Sequence, residues 1–180
     1  MRRRALIPAL MAGLSLPALA HAVPPPELAS ELPGARWRGA ATLRWMGLRI
    51  YDARLWSPET VAADAEAPEQ PLALELQYAR SLVGRLIAER SLDEMRRLAP
   101  IPEARAQRWL ESMAQLFPDV QAGDRLTGVL RPGQSARFWH NGRLRGELAD
   151  AEFARLFFGI WLSPRTSEPA LRRQLIGGGS

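Results

Sequence analysis

The first half of the chain alternates apolar and polar side chains with the period of a β-strand. Trp, Thr, Ile, Tyr and Leu are frequent in residues 36–46 and 48–56, and Gly47 separates the two segments. Together they predict a pair of strands joined by a tight turn. Residues 57–71 are rich in Ser, Pro, Asp and Glu, and they predict a loop.

Residues 72–80, LALELQYAR, predict a third strand. Alternate positions of a strand share one face. Here that face carries three leucines, a phenol and a guanidinium: Leu72, Leu74, Leu76, Tyr78 and Arg80. Either the last residues of this stripe leave the core, or the stripe lines a pocket whose polar end holds a ligand.

In the middle of the chain the apolar spacing changes to three and four residues, the period of a helix. Residues 81–98 predict helix with a break around Ser91, which would cap a second helix. Pro102 suits the first turn of the following helix, and Pro118 ends it.

Strand periodicity then returns in three short segments, residues 125–131, 135–140 and 143–148. Pro-Gly at 132–133 and Asn-Gly at 141–142 separate them, and Asn-Gly is a strong hairpin signal. These segments predict an antiparallel meander of three strands.

Asp150 is placed to cap a helix with a broad apolar side, and residues 167–177 predict a short terminal helix. Strands and helices thus occur in blocks instead of alternating singly. This order predicts an α+β fold, with an antiparallel sheet and a helical layer packed on one face. It argues against a Rossmann-type alternation.

The N-terminal segment 1–22 has the three parts of a signal peptide: an Arg-rich start, an apolar run at 5–16 and AHA at 20–22. The alternative is a buried N-terminal helix. A cleaved signal peptide predicts a periplasmic or secreted protein. Residues 23–34 form a Pro-rich lead-in predicted to be irregular, followed by a single domain at 35–177.

Charge and composition exclude several classes of protein. All 24 basic residues are Arg; three lie in the predicted signal peptide, which leaves 21 against 19 acids. The arginines are scattered, so we expect no nucleic-acid partner. The segment after residue 22 has no long apolar run, so no membrane span is predicted.

The chain also lacks the residues that metal and cofactor sites usually need. The chain has no Cys, and His140 is the only His outside the predicted signal peptide, so no metal site is expected. No phosphate-binding loop or G-x-S-x-G motif is present, and we predict no cofactor. Asp93 and Glu94 follow the predicted break at Ser91, where a helix dipole favours acids.

Four separated motifs occur in a fixed order: GAATLRWMGLRIYDARLW (39–56), GD (123–124), NGRLRGELADAEFARLFFGIWL (141–162) and SEPALRRQLIG (167–177). Together they resemble the secreted branch of the bacterial chalcone isomerase-like family. The resemblance implies an open-faced β-sandwich with a ligand cleft between the sheet and the helices. Plant members of this family close a chalcone to a flavanone, and other relatives bind fatty acids in the same cleft.

The resemblance places the family's cleft arginine at Arg44, and Tyr51 where the plant enzyme has a catalytic threonine. The plant catalytic lysine has no counterpart, because the chain contains no Lys. The catalytic tyrosine of the helical layer is also missing, since Tyr51 and Tyr78 lie on predicted strands. We therefore do not expect flavonoid cyclisation by the plant mechanism.

The favoured hypothesis is a module that binds a fatty acid or similar amphipathic carboxylate. A guanidinium beside a phenol can hold a carboxylate, and Arg44, Tyr51, Tyr78 and Arg80 are the predicted ligand-binding residues. Each has a plain structural alternative: Arg44 as a solvated strand residue, the two tyrosines as core rings with satisfied hydroxyls, and Arg80 as the partner of a carboxylate at the strand end.

Two other functions stay open. One is an isomerase or intramolecular lyase acting on a chalcone-like enone, with Arg44 and Tyr51 as candidate catalytic residues. The other is a structural envelope protein whose vestigial cleft is filled by its own side chains. The sequence does not decide the oligomeric state.

Overall fold

The computed structural model describes residues 23–63 and 68–177. The predicted signal peptide lies outside these residues. In this part of the chain, six strands form one antiparallel sheet in which each strand pairs with the next along the sequence. The strands are β1 (Arg36–Trp45), β2 (Leu48–Ser57), β3 (Leu72–Tyr78), β4 (Arg125–Arg131), β5 (Ser135–His140) and β6 (Arg143–Leu148).

Local turn chemistry explains the hairpins. Asn141 and Gly142 both have positive φ, 49° and 79°, between β5 and β6. Two-residue hairpin turns of type I′ need positive φ at both central positions, and Asn-Gly meets this need at low cost. Met46 and Gly47 have the same pair of values between β1 and β2. The predicted strand segments therefore end close to where the sequence indicated.

Five helices accompany the sheet in the described part of the chain. They are α1 (Leu28–Glu31), α2 (Gly84–Leu98), α3 (Glu103–Leu116), α4 (Ala151–Leu162) and α5 (Pro169–Gly177). None of the described helices combines the length and apolar character needed to cross a membrane.

The predicted break at Ser91 is wrong, because α2 runs through it without interruption. The Ser91 hydroxyl donates to the carbonyl of Ile87, one turn earlier, at 2.8 Å. This bond satisfies the hydroxyl inside the helix, so the serine does not act as a cap. Glu94 consequently lies in the middle of a helix and not at a helix start.

Helices α2 to α5 gather on one face of the sheet, which we call the inner face. Helix α4 packs on β4 and β5, and α5 packs on β1 and β2. A Cβ on Gly39 of β1 would lie 2.3 Å from the carbonyl oxygen of Leu175. Only glycine lets α5 approach β1 so closely. The predicted α+β class, an antiparallel sheet with a helical layer on one face, is confirmed.

The lead-in at 23–34 was predicted to be irregular, but it forms α1 and packs on the outer face of the sheet. Leu28 and Leu32 are buried there against Trp56 and Trp139. The cause is their spacing of four residues, which puts both leucines on the same side of a single helical turn.

Acids of this segment pair with arginines of the sheet. The buried Glu27 accepts a hydrogen bond from the Thr127 hydroxyl at 2.7 Å and lies 3.3 Å from Arg125 Nη2. Glu31 contacts Arg137 at 2.6 Å and Arg131 at 3.1 Å. Several scattered arginines are therefore used to hold the N-terminal segment in place.

Asp150 joins two helices, as both a cap and a hydrogen-bond partner. Its Oδ1 accepts from the backbone N–H groups of Glu152 and Phe153, both at 3.0 Å, and its Oδ2 accepts from Trp109 Nε1 at 2.9 Å. Burial raises the pKa of this carboxyl, but the hydrogen bonds from Phe153, Trp109 and Glu152 outweigh burial and bring the pKa below its usual value.

We expect Asp150→Ala to lower the free energy of unfolding by about 1–2 kcal/mol, because α4 loses its N-cap. Because its folded pKa is depressed, Asp150 contributes stability above its unfolded pKa and loses it as pH falls through the folded value. Urea unfolding should therefore show a difference from wild type that shrinks in acid. Asp93→Ala, at an exposed position of α2, is the control and should leave stability unchanged. An equal effect of both substitutions would contradict the capping role.

Candidate ligand-binding cleft

A cavity of about 340 Å³ lies between the inner face of the sheet and the helices. This volume falls in the range of small-molecule pockets. The strands contribute apolar side chains that include Leu43, Ile50, Leu74, Leu76, Leu126 and Phe138. The helical side contributes Leu86, Ile87, Phe157, Ile160 and Trp161.

The cavity exists because α2 is held by helices more than by strands. Its main contacts are with α3 and α4. At its start, Asp119 Oδ1 accepts the Gly84 N–H at 2.8 Å, and Leu82 forms a β-bridge with Val120. These attachments fix α2 without bringing it down onto the strands, so apolar space remains between them.

Two tyrosines form the polar centre of this apolar space. Tyr51 and Tyr78 are partners across β2 and β3, and their rings meet edge to face with centroids 5.8 Å apart. The Tyr51 oxygen accepts a hydrogen bond from Trp161 Nε1 at 2.9 Å. The Tyr78 hydroxyl has no hydrogen-bond partner among the described residues. Both phenol hydrogens are therefore free to donate to a ligand.

Burial decides the ionisation of these phenols. Desolvation raises the pKa of Tyr51 above its ordinary value, against a smaller opposing effect of the Trp161 hydrogen bond. Desolvation also raises the pKa of Tyr78, and the nearby Tyr51 adds to this. Both side chains stay neutral at physiological pH, so they act as hydrogen-bond donors and are poor bases.

The lining of the cavity includes charged side chains that the sequence analysis did not single out as ligand-binding residues. Arg90 and Glu94 both line it, and Arg90 Nη2 lies 2.6 Å from the buried Glu94 Oε1. The other Glu94 oxygen accepts from the Ser167 hydroxyl at 2.7 Å. Glu168 also lines the cavity. The signal that could have found them is the helical spacing that places Arg90 and Glu94 on the same side of α2 as the apolar Ile87.

Only two of the four predicted ligand-binding residues come together in the cleft. Tyr51 and Tyr78 line it, whereas Arg44 and Arg80 are exposed and lie outside its lining. The neighbours of Arg44, Leu43 and Trp45, face the cavity, so strand alternation turns Arg44 to the other face.

Arg80 misses the cleft for a different reason. Strand β3 ends at Tyr78, and the chain bends at the next two residues. The row of alternate residues on the inner face of β3 therefore ends at Tyr78 and does not include Arg80. Leu74, Leu76 and Tyr78 of this row line the cavity, while Leu72 is packed in the core.

Comparison with known proteins identifies the fold and the family. A family model described as chalcone isomerase-like matches residues 35–177. The chain belongs to the chalcone isomerase-like family. A Haemophilus influenzae protein described as uncharacterized is 30% identical over 150 residues, which cover 82% of this chain and 72% of that protein.

A solved structure supports the same architecture. The crystal structure of an Arabidopsis thaliana fatty-acid binding protein matches with a TM-score of 0.63 and 12% sequence identity, over 81% of this chain and 88% of that one. At this identity the match shows a shared fold. The resemblance noted from the sequence motifs is confirmed, and so is the open-faced sheet with its helical layer.

This member of the family lacks the groups expected of the plant enzymes. It has no lysine, and Arg44, where the resemblance placed the cleft arginine, is outside the cavity. The arginine that does line the cavity is Arg90, which belongs to α2 and is paired with Glu94. Within residues 23–63 and 68–177, metal-ligating side chains form no cluster of three or more.

A matched pair of substitutions on β3 tests whether the cavity is real space. We expect Leu76→Trp to be tolerated, because Leu76 borders the cavity and the larger ring can enter it. The same substitution at Leu72, on the same face but fully buried in the core, should cost about 1–3 kcal/mol through overpacking. Urea unfolding measures both. Equal destabilisation by the two substitutions would show that the space beside Leu76 is closed.

Proposed function

We propose that this protein binds a fatty acid or a similar amphipathic ligand in the cleft between the sheet and the helices. The observation that carries the proposal is the apolar cavity that contains two phenol hydrogens without acceptors. The acyl chain of such a ligand would fit the apolar cavity, and the oxygens of its head group would accept the phenol hydrogens. The Arabidopsis fatty-acid binding protein, which has the same fold, supports the same ligand class.

The arrangement of polar groups suggests how such a ligand is held. Its chain would lie among the leucines and phenylalanines that line the cavity. The head group would accept hydrogen bonds from Tyr51 and Tyr78. Arg90 contributes little net charge, because Glu94 pairs with it and Glu168 lines the same cavity. Neutral phenols, more than a free guanidinium, would therefore orient the head group.

The two rival functions have less support. A cavity of about 340 Å³ beside Tyr51 is not a cleft filled by its own side chains, as a purely structural role would have it. For an isomerase, Tyr51 would have to serve as an acid or base. Its raised pKa keeps the phenol protonated at physiological pH, so it is not available as a base, and no lysine is present to take that role.

The proposed site of action is the periplasm or the space outside the cell. Residues 1–22 have the charge, apolar run and small residues of a cleaved signal peptide. N-terminal sequencing of the protein after expression of the full chain would test this, with a start near Val23 expected.

Tyr78→Phe separates ligand binding from folding. We expect it to weaken fatty-acid binding at least roughly tenfold, since a hydrogen bond to a charged acceptor contributes about 1.5–3 kcal/mol. Stability should not fall, because the Tyr78 hydroxyl has no partner among the described residues. Displacement of a fluorescent fatty acid and urea unfolding measure the two quantities.

Tyr51→Phe provides the comparison, because it removes a donor to the cavity and also the acceptor of Trp161 Nε1. We expect it to weaken binding and to lower stability. Unchanged affinity in both variants would remove the phenols from the proposed site. Absence of fatty-acid binding by the wild-type protein, together with no co-purified acyl chain in a native mass spectrum, would reject the proposed function altogether.

A further inference from the structure

The mouth of the cleft is surrounded by exposed apolar side chains. We call the set the apolar rim; its members are Trp45, Met46, Leu48, Val83 and Leu86, all exposed. Trp45 and Leu86 also line the cavity, which places the β1–β2 hairpin tip and the start of α2 at the same opening. Apolar groups concentrated in this way on a surface are typical of an interaction site.

The backbone conformation of Met46, at the hairpin tip, gives no folding reason for a methionine at this position. Met46 has a φ of 49° and is 86% exposed. Left-handed backbone disfavours bulky residues and suits Gly, Asn or Asp. A fully solvated methionine therefore adds strain to the turn and gives no packing in return. A role at a surface that the tip contacts would account for it.

Unpaired positive charge lies beside the apolar rim. Arg44 and Arg80 are exposed, and neither has an ion-pair partner among the described residues. Arg44 is opposite Arg49 in the β1–β2 register, and the Ala79 N–H donates to the Ile50 carbonyl at 2.9 Å. That bond extends the β2–β3 pairing toward Arg80. Arg44 on β1 and Arg80 just after β3 thus flank β2 at the same end of the sheet.

Nearby acids do not cancel this charge. Asp52 pairs with Arg49, and Glu89 pairs with Arg85 at 3.0 Å. Glu168 lines the same cavity from the loop before α5 and is not part of the hairpin. The tip therefore combines exposed Trp, Met and Leu side chains with a net positive charge, a combination that favours the interface of an anionic lipid bilayer.

We propose that the apolar rim docks on an anionic phospholipid bilayer, with the cleft opening toward the lipid. Trp45, Met46 and Leu48 enter the headgroup region, while Arg44 and Arg80 contact lipid phosphates. An amphipathic ligand then passes between bilayer and cleft without crossing bulk water. The docking stands by itself; the transfer role rests on the proposed function.

Vesicle co-sedimentation tests the docking, using protein purified after expression of the full chain. The vesicles contain phosphatidylcholine with or without phosphatidylglycerol. We expect binding that requires phosphatidylglycerol and falls as salt is raised, because exposed charges are screened. Met46→Asp should reduce the bound fraction at least tenfold, since a carboxylate at the tip is repelled and resists insertion.

The matched control is Leu144→Asp. Leu144 is 51% exposed on β6, four strand spacings of about 4.8 Å from β2, or roughly 20 Å away. The Leu144→Asp variant should therefore bind vesicles as strongly as the wild type. Arg44→Gln and Arg80→Gln should each weaken vesicle binding roughly fivefold, because each arginine near an anionic bilayer contributes about 1 kcal/mol of binding free energy. Arg143→Gln, at an exposed position of β6, should not.

Three results would overturn the proposal: no binding of wild-type protein to either vesicle, equal binding by Met46→Asp and wild type, or a dimer that Met46→Asp converts to a monomer. The last would assign the apolar rim to contact between copies of the chain. Failure of docking is distinguishable from failure of the proposed function, because Met46→Asp should retain fatty-acid affinity in solution and Tyr78→Phe should retain vesicle binding.

Discussion

The position of α2 is the constraint on which the cleft depends. This helix is attached to α3, α4 and the segment before β4, whereas α4 and α5 rest directly on strands. The apolar space therefore lies between the strands and α2, and one side of α4 also borders it. Strand β3 passes from core to cavity along its own length, since Leu72 is packed in the core and Leu76 borders the cavity.

The polar groups of the cleft are few, and most are neutralised by the protein. Arg90 is offset by Glu94, and the Tyr51 oxygen is occupied by Trp161. What remains is the Glu168 carboxylate and the two phenol hydrogens, whose burial keeps both phenols un-ionised. Burying a hydroxyl without a partner costs about 1–3 kcal/mol, so the arrangement is better suited to a bound ligand than to stability. Outside the cleft, the hairpin tip likewise carries strain and exposed apolar groups that folding does not need.

Much of the fold was predictable because its signals are local. Asn-Gly at 141–142 specifies a turn that needs positive φ, and the alternation of LALELQY assigns one face of β3 to the interior. Two local predictions were wrong where side chains found partners that spacing does not reveal. Ser91 bonds within its own helix, and the lead-in is held on the outer face by Leu28 and by Glu27, which pairs with Arg125 about 100 residues away.

The sequence by itself determined the strands, the order of the elements and the presence of Tyr51 and Tyr78 on adjacent strands, because period and turn chemistry act over a few residues. Only the tertiary structure decided that the phenols meet a helix carrying Arg90, that Arg44 faces away and that Arg80 lies past a bend. The reason is geometric. Which side chains share a cavity depends on how distant elements rest on one another, and the space under α2 is set by its attachment to other helices.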